Sequence, residues 1–240
     1  MTRIRRICAD FFRINMAKKL FLTLSIIAFL ASCGTRRNVV QDPATFDEGV
    51  VINGVRWATR NVDMPGTFAE NPESPGMFFQ WNRKKGWNAV DEEVEGWDWQ
   101  GTTSTEWKKE NNPCPDGWRV PTQEELQSLV DAGSEWAAKN GISGRIFGIA
   151  PYRIFLPAVG LRNGVFDGVL EGAVGFYLNH NQTHRSDVVY PVDYRSAVGI
   201  YWSGTSFGDN NVFILSFSNN DVFTGWHWWA HGHSIRCVAK

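Results

Sequence analysis

The C-terminal part of the chain concentrates side chains that bind ligands by stacking and hydrogen bonding. Trp226, His227 and Trp229 lie within four residues of one another, and Asn220 and Asp221 precede them. An indole face stacks on the C–H surface of a sugar, while amide, imidazole and carboxylate groups hydrogen-bond to hydroxyls. These five residues are the candidate ligand-binding site. In the competing interpretation, Trp226 and Trp228 point inward and fill the core, while Trp229 covers a loop.

Histidines form a second group in the same segment. If His231 and His233 lie on a strand, both rings point to one face, as the ligands of a metal site do. No carboxylate nearby completes a ligand set. Cys237 is not counted as a ligand because it is expected to form a disulfide. The turns at 209–211 and 219–221 carry oxygen ligands for Ca²⁺, but their Asn and Asp content is that of ordinary turns. We therefore predict no metal site and no cofactor.

The motifs of common enzymes are missing from the sequence. It has no Gly-x-Ser-x-Gly elbow, no phosphate-binding loop and no His-Glu-x-x-His segment. The acidic run at 91–95 is typical of a solvated loop rather than of a glycosidase carboxylate pair. We predict that the protein is not an enzyme.

Charge excludes one class of partner. The chain has 24 basic and 25 acidic residues, and residues 1–32 contain six of the basic residues and one of the acidic ones. The remainder therefore has 18 basic and 24 acidic residues, a net charge of −6. Neutralising phosphates needs a concentrated basic surface, so we expect no nucleic-acid partner.

The N-terminal region is typical of an export signal. Lys18 and Lys19 precede an apolar run of about a dozen residues, which is shorter than the roughly 20 that a membrane-spanning helix needs. Leu-Ala-Ser-Cys, ending at Cys33, resembles the lipobox of bacterial lipoproteins, in which the cysteine takes a diacylglycerol and becomes the new N-terminus. The alternatives are an ordinary cleaved signal and an N-terminal anchor. Residues 1–15 do not fit the pattern, so translation starts at either Met1 or Met16.

We accordingly predict three regions: a signal peptide over 1–32, a lipidated flexible tether over 33–48 and a globular domain over 49–240. Gly34 is not the Asp that retains enteric lipoproteins at the inner membrane, and no acidic run resembling a Bacteroidetes surface-export signal follows Cys33. We expect a lipid-anchored protein of the outer membrane or cell surface, and its periplasmic or external orientation stays open.

Two cysteines remain if Cys33 is lipidated and Cys8 is not translated. Export favours a disulfide between Cys114 and Cys237, and the alternative is two buried free thiols.

Several local patterns predict the elements that position these side chains. Asn53-Gly54 inside the apolar stretch 50–57 predicts a tight hairpin, and Thr122 with Glu125 forms a capping box that starts a helix ending before Gly133. A second short helix is predicted from Ser134 to Asn140-Gly141, and another around 78–83. The short strand candidates are 154–159, 175–178, 198–202, 212–217 and 235–238.

Five segments in order resemble the Fibrobacter succinogenes major paralogous domain. The central one is Cys-Pro-Asp-Gly-Trp-Arg-Val-Pro-Thr, residues 114–122, followed by Glu-Glu-Leu at 124–126. The others are Trp-Ala-x-x-Asn-Val at 57–62, Gly-x-x-Phe-x-Trp at 76–81, Tyr-Trp-Ser-Gly-Thr at 201–205 and Ser-Ile-Arg-Cys-Val at 234–238. Such domains occur on secreted proteins and lipoproteins, and they have no established common activity.

The Arg-Val-Pro-Thr-x-x-Glu stretch from Arg119 to Glu125 also resembles the formylglycine-generating enzymes. That resemblance implies an α+β, loop-rich domain similar to C-type lectins, with short twisted antiparallel strands, one or two helices, and both termini in one sheet. The Cys114–Cys237 bridge would tie the helical region to the last strand. The redox cysteine pair of these enzymes and the calcium-binding triplets of C-type lectins are both missing here.

Together these features predict a noncatalytic binding or adhesion module of the cell envelope, with a glycan or protein ligand. The alternatives are an enzyme or accessory protein acting on extracellular polysaccharide, and a structural subunit of a surface assembly.

Overall fold

A computed structural model of the chain describes residues 41–88, 96–98, 104–162 and 198–240. The export segment with Cys33, the acidic run at 91–95 and the strand candidate at 175–178 lie outside the described residues. Within them, no helix is both long and apolar enough to cross a bilayer.

The first sheet brings the two ends of the described chain together. Strands β1 (Val50–Ile52) and β2 (Val55–Trp57) form a hairpin whose turn has positive φ at Asn53 (48°) and Gly54 (82°), as the Asn-Gly signal predicts. The last strand, β13 (Val238–Ala239), pairs with β2 and with β5 (Trp118–Arg119). The order is β1-β2-β13-β5.

Helix α1 (Gln123–Asp131) begins as its capping box predicts. The Glu125 amide donates to Thr122 Oγ1, and the Thr122 amide donates to the Glu125 carboxylate. Arg119 adds two parallel hydrogen bonds to the same carboxylate, at 2.7 and 2.6 Å. Burial alone would raise the pKa of Glu125, but the hydrogen bonds from Arg119 and Thr122 outweigh it and lower that pKa.

The central sheet has the order β11-β10-β9, with β9 at Val198–Phe207, β10 at Asn211–Ser218 and β11 at Val222–Trp228. Both faces contribute to the core because side chains alternate along each strand. Ile214 and Trp202 lie in one buried cluster, while Leu215 packs with the helix residues Leu126 and Leu129 in the other.

Two further three-stranded sheets complete the architecture. One is a meander of β6 (Ser134–Lys139), β7 (Ile142–Ile149) and β8 (Tyr152–Pro157). In the other, β3 (Phe78–Gln80) lies between β12 (Gly232–His233) and β4 (Gly86–Trp87). A 3-10 turn covers Lys109–Asn111.

The predicted α+β class is wrong. Among the described residues 44% are extended, 8% are helical, and α1 is the one α-helix beside several small antiparallel sheets. The helix predicted from Ser134 is strand β6, because Asn140 (φ 50°) and Gly141 (φ 82°) turn the chain into a hairpin with β7 rather than ending a helix. The helix predicted around 78–83 is β3, whose three residues are all buried.

One disulfide and several hydrogen bonds tie the ends of the domain to its core. Cys114 and Cys237 form the predicted disulfide, which spans 123 residues. Asp47, from the predicted flexible tether, is buried and accepts hydrogen bonds from the amides of Gly49 and Thr59 and from the Thr59 hydroxyl. The Phe68 amide also donates to Ala44 O, so the folded domain begins before residue 49.

Candidate functional site

Three of the motif segments meet in a buried polar network. Arg236 is fully buried and donates from Nε and Nη2 to Asn61 Oδ1, at 3.0 and 2.7 Å. Asn61 donates in turn to the Tyr201 hydroxyl, which donates to Pro157 O at 2.9 Å. Burial lowers the pKa of Arg236 and raises that of Tyr201 to about 12. Every strong polar group here has a partner inside the protein, which is typical of a structural network.

The remaining motif residues also hold the core together. Trp81 donates from Nε1 to Ser203 O at 2.9 Å, and Trp202 donates from Nε1 to Phe79 O at 2.6 Å. Gly76 has φ +67°, and a Cβ built there would lie 2.1 Å from Val62 O, so only glycine fits. These buried motif residues therefore stabilise the fold, and a ligand site is to be sought among the exposed side chains.

An exposed aromatic group lies on the central sheet beyond helix α1. We call Phe207, Phe213 and Trp226 the aromatic patch. Phe213 is the cross-strand partner of Trp226, and Phe207 stacks on Trp226 with ring centroids 5.9 Å apart and planes inclined by 14°. Phe207 also meets Phe213 edge to face at 5.0 Å. Trp226 is 40% exposed and Phe207 is 43% exposed, so the patch offers ring surface to a ligand.

The structure separates the five residues predicted to bind ligand. Trp226 is in the patch, whereas Trp229 is buried in the core and His227 points to the opposite face of β11. Asn220 and Asp221 form the turn before β11, about 17 Å along the strand from Trp226 at roughly 3.3 Å per residue. The polar residues that adjoin the patch in sequence are Asp209 and Asn210, in the exposed turn that follows Phe207. The Oδ1 atom of Asn210 already accepts a hydrogen bond from Trp229 Nε1 at 3.4 Å.

Sequence reasoning missed Phe207 and Phe213. The signal was present, because Phe213, Leu215 and Phe217 alternate along β10 and share one face. That alternation predicts a continuous apolar face, but it does not reveal that α1 covers only part of it.

The opposite side of β11 carries a histidine cluster formed by His227, His231 and His233. Nδ1 of His227 lies 2.7 Å from Nε2 of His233 and 3.0 Å from Nδ1 of His231. The three ligand atoms all lie within 4.8 Å of one another. His233 is fully buried, His227 is 9% exposed, and His231 retains some exposure.

Burial sets the protonation of this cluster. Loss of solvent, aided by the neighbouring imidazoles, lowers the pKa values of His227 and His233 well below their usual range. Loss of solvent also lowers the pKa of His231 to about 4. These pKa shifts favour the neutral imidazole, in which one ring nitrogen carries an N–H and the other carries a lone pair.

Two clefts on the described surface lack the arrangement that glycoside hydrolysis needs. One, of about 460 Å³, is lined by Lys84, Lys109 and Lys240 around the single carboxylate of Asp116. The other, of about 240 Å³, has Asp98 as its one carboxylate. Neither cleft offers the pair of carboxyl groups used by glycosidases.

Comparisons of the chain with protein-family models, with curated proteins and with solved structures find no match.

Proposed function

We propose that this protein is a noncatalytic carbohydrate-binding module of the bacterial cell envelope, anchored by a lipid on Cys33. The aromatic patch is the observation that carries the proposal. Phe207, Phe213 and Trp226 present ring surface on a rigid three-stranded sheet, and Asp209 and Asn210 adjoin it with hydrogen-bonding groups. Stacking against C–H faces and hydrogen bonding to hydroxyls are the two interactions that sugar binding combines.

The size of the patch favours a sugar over a protein ligand. A standard protein interface buries about 800 Å² on each partner. Each of these rings has a total area of only about 150–250 Å², and part of each is already buried against its neighbours. One or two sugar rings match that surface better than a protein partner does.

The resemblance to the Fibrobacter succinogenes major paralogous domain remains a proposal. What supports it is that the matching segments fit one core: Asn61 bonds to Arg236 and Tyr201, and Trp81 bonds to Ser203. If the shared motifs stabilise the scaffold and the ligand surface lies outside them, members of the family can bind different ligands. This agrees with a domain that has no established common activity.

The test is a screen of the full-length protein, purified in detergent, against a glycan array and by polysaccharide retardation gels. We expect at least one retained glycan, and Trp226→Ala should weaken its retention by roughly 5- to 150-fold, the range of an interface hot spot of about 1–3 kcal/mol. The matched control is Tyr152→Ala, another exposed aromatic residue (63% exposed) on β8. Failure to retain any glycan, or equal effects of the two variants, would refute the proposed function.

A further inference from the structure

We propose that His227, His231 and His233 bind one divalent first-row transition-metal ion of the zinc class. The proposal is independent of carbohydrate binding, because the histidine cluster lies on the opposite face of β11 from Trp226.

Separate elements hold the three rings in place. His227 lies near the end of β11, His231 lies in the turn that follows, and His233 lies on β12, paired with Phe79 of β3. Trp202 packs on His233 with ring centroids 4.1 Å apart, and Trp228 meets His231 edge to face at 5.4 Å. These contacts restrict ring rotation, so the three nitrogens converge without the large entropy cost of ordering exposed side chains.

Hydrogen bonds between the three rings do not account for the convergence of their nitrogens. A ring nitrogen carries either one N–H or one lone pair, so it makes one good hydrogen bond in the plane of its ring. Nδ1 of His227 nevertheless lies within 3.0 Å of ring nitrogens from both other histidines. A bound cation would accept a lone pair from all three nitrogens at once.

The spacing is close to that of a tetrahedral metal site. Zinc–nitrogen bonds of about 2.0–2.1 Å place tetrahedral ligand nitrogens about 3.3–3.4 Å apart. The two short contacts, 2.7 and 3.0 Å, need to open by about 0.3–0.7 Å, and the widest separation, at most 4.8 Å, needs to close by up to about 1.5 Å. His231, which lies in a turn and is partly exposed, is the ring with the most room for this adjustment.

The ligand set also matches the chemistry of the zinc class. Imidazole nitrogen is a preferred ligand of Zn²⁺, and all three members of the cluster offer one. Among the described residues the cluster contains no carboxylate or thiolate, so three histidines would leave a fourth position for water or an external ligand. The partial exposure of His231 gives an ion a route from solvent.

The first experiment is calorimetric titration of Zn²⁺ into the chelator-treated, full-length protein in detergent. We expect one Zn²⁺ per chain and a rise in melting temperature with Zn²⁺ concentration, because the ion binds the folded state. Changing His231, the most exposed ligand, to Gln should weaken binding by more than about 100-fold, since even outer-shell partners of zinc ligands contribute about 10–100-fold. The matched control is Tyr152→Gln, which changes an exposed residue on β8 outside the cluster and should bind Zn²⁺ like the wild type.

Two results would overturn the proposal: no stoichiometric Zn²⁺ binding by the wild type, or a His231→Gln variant that binds as the wild type does. Melting in the presence of chelator shows whether that variant folds. If it does not, Co²⁺ substitution of the wild type decides the question without any variant. A three-histidine site should give the intense visible absorption of tetrahedral Co²⁺, and the weak spectrum of the hydrated ion would contradict the site.

Discussion

Arg236 and Asn61 are joined by two hydrogen bonds across 175 residues of sequence, with the guanidinium Nε and Nη2 atoms 3.0 and 2.7 Å from the same amide oxygen. Both residues are fully buried. A buried guanidinium without an acceptor costs several kcal/mol, so Asn61 stabilises the fold chiefly by solvating this cation.

Replacing Asn61 by Leu should therefore lower the free energy of unfolding by about 3–5 kcal/mol, because two hydrogen bonds to a buried cation, each of about 1.5–3 kcal/mol, are lost while Nη1 keeps its bond to Ala58 O. Denaturant unfolding measures it. The double variant Asn61→Leu with Arg236→Met removes the charge as well, and we expect it to lose less than the sum of the two single variants. Additive losses would show that the two side chains do not interact energetically.

Tyr201 should make stability fall at alkaline pH. Burial raises the pKa of its phenol to about 12, above the value of about 10 in an unfolded chain. The folded state then holds the proton more tightly, so this contribution is fully present below pH 10 and is lost as the pH rises to 12. The loss is about 2.7 kcal/mol at most. Unfolding free energies of the wild type and Tyr201→Phe between pH 8 and 12 measure the difference, and parallel curves would contradict it.

The Cys114–Cys237 disulfide closes a loop with a sequence separation of 123 residues. In the chain-entropy model such a loop stabilises the folded state by about 5 kcal/mol. The double variant Cys114→Ser with Cys237→Ser should lose up to that amount in denaturant unfolding, and a reductant should leave its stability unchanged while destabilising the wild type. Two freely alkylated thiols in the folded wild type would disprove the bridge.

Truncation of Trp229 should cost more stability than truncation of Trp226. Trp229 is 6% exposed within the core, so Trp229→Ala should cost about 3–5 kcal/mol of stability. Trp226→Ala should cost less than Trp229→Ala, since Trp226 is already 40% exposed in the folded state and loses less buried apolar surface. Thermal melts of the two variants measure this, and a more destabilised Trp226→Ala would reverse the assignment of core and surface.

Lipidation is predicted at Cys33. Cys33→Ala should abolish incorporation of a labelled fatty acid and move the protein from the detergent phase to the aqueous phase on partitioning, because the variant has no thiol to take the diacylglycerol. Changing the neighbouring Ser32 to Ala is the control, since it keeps both the thiol and a small residue before it. A Cys33→Ala protein that still partitions into detergent would contradict the prediction.

Part of this fold is predicted by the chemistry of residues that are neighbours in sequence. Asn53-Gly54 forms its hairpin because both residues accept positive φ, and Thr122 caps α1 because its side chain and that of Glu125 satisfy free amides within one turn. The Cys114–Cys237 pair is predicted from the number of cysteines that remain if Cys33 is lipidated and Cys8 is not translated. Each of these predictions depends only on neighbouring residues or on the number of cysteines.

The proposed ligand surface and the helical content depend on contacts that only the tertiary structure supplies. Residues 134–139 fit a helix or a strand, and pairing with β7 decides for the strand. Alternation places Trp226 and His227 on opposite faces of β11, but which face is covered depends on the elements that pack there. The three histidines converge because β12 pairs with β3 and returns His233 beside His227. Distances between elements are set by packing of residues far apart in sequence, whereas turns and caps are set within a few residues.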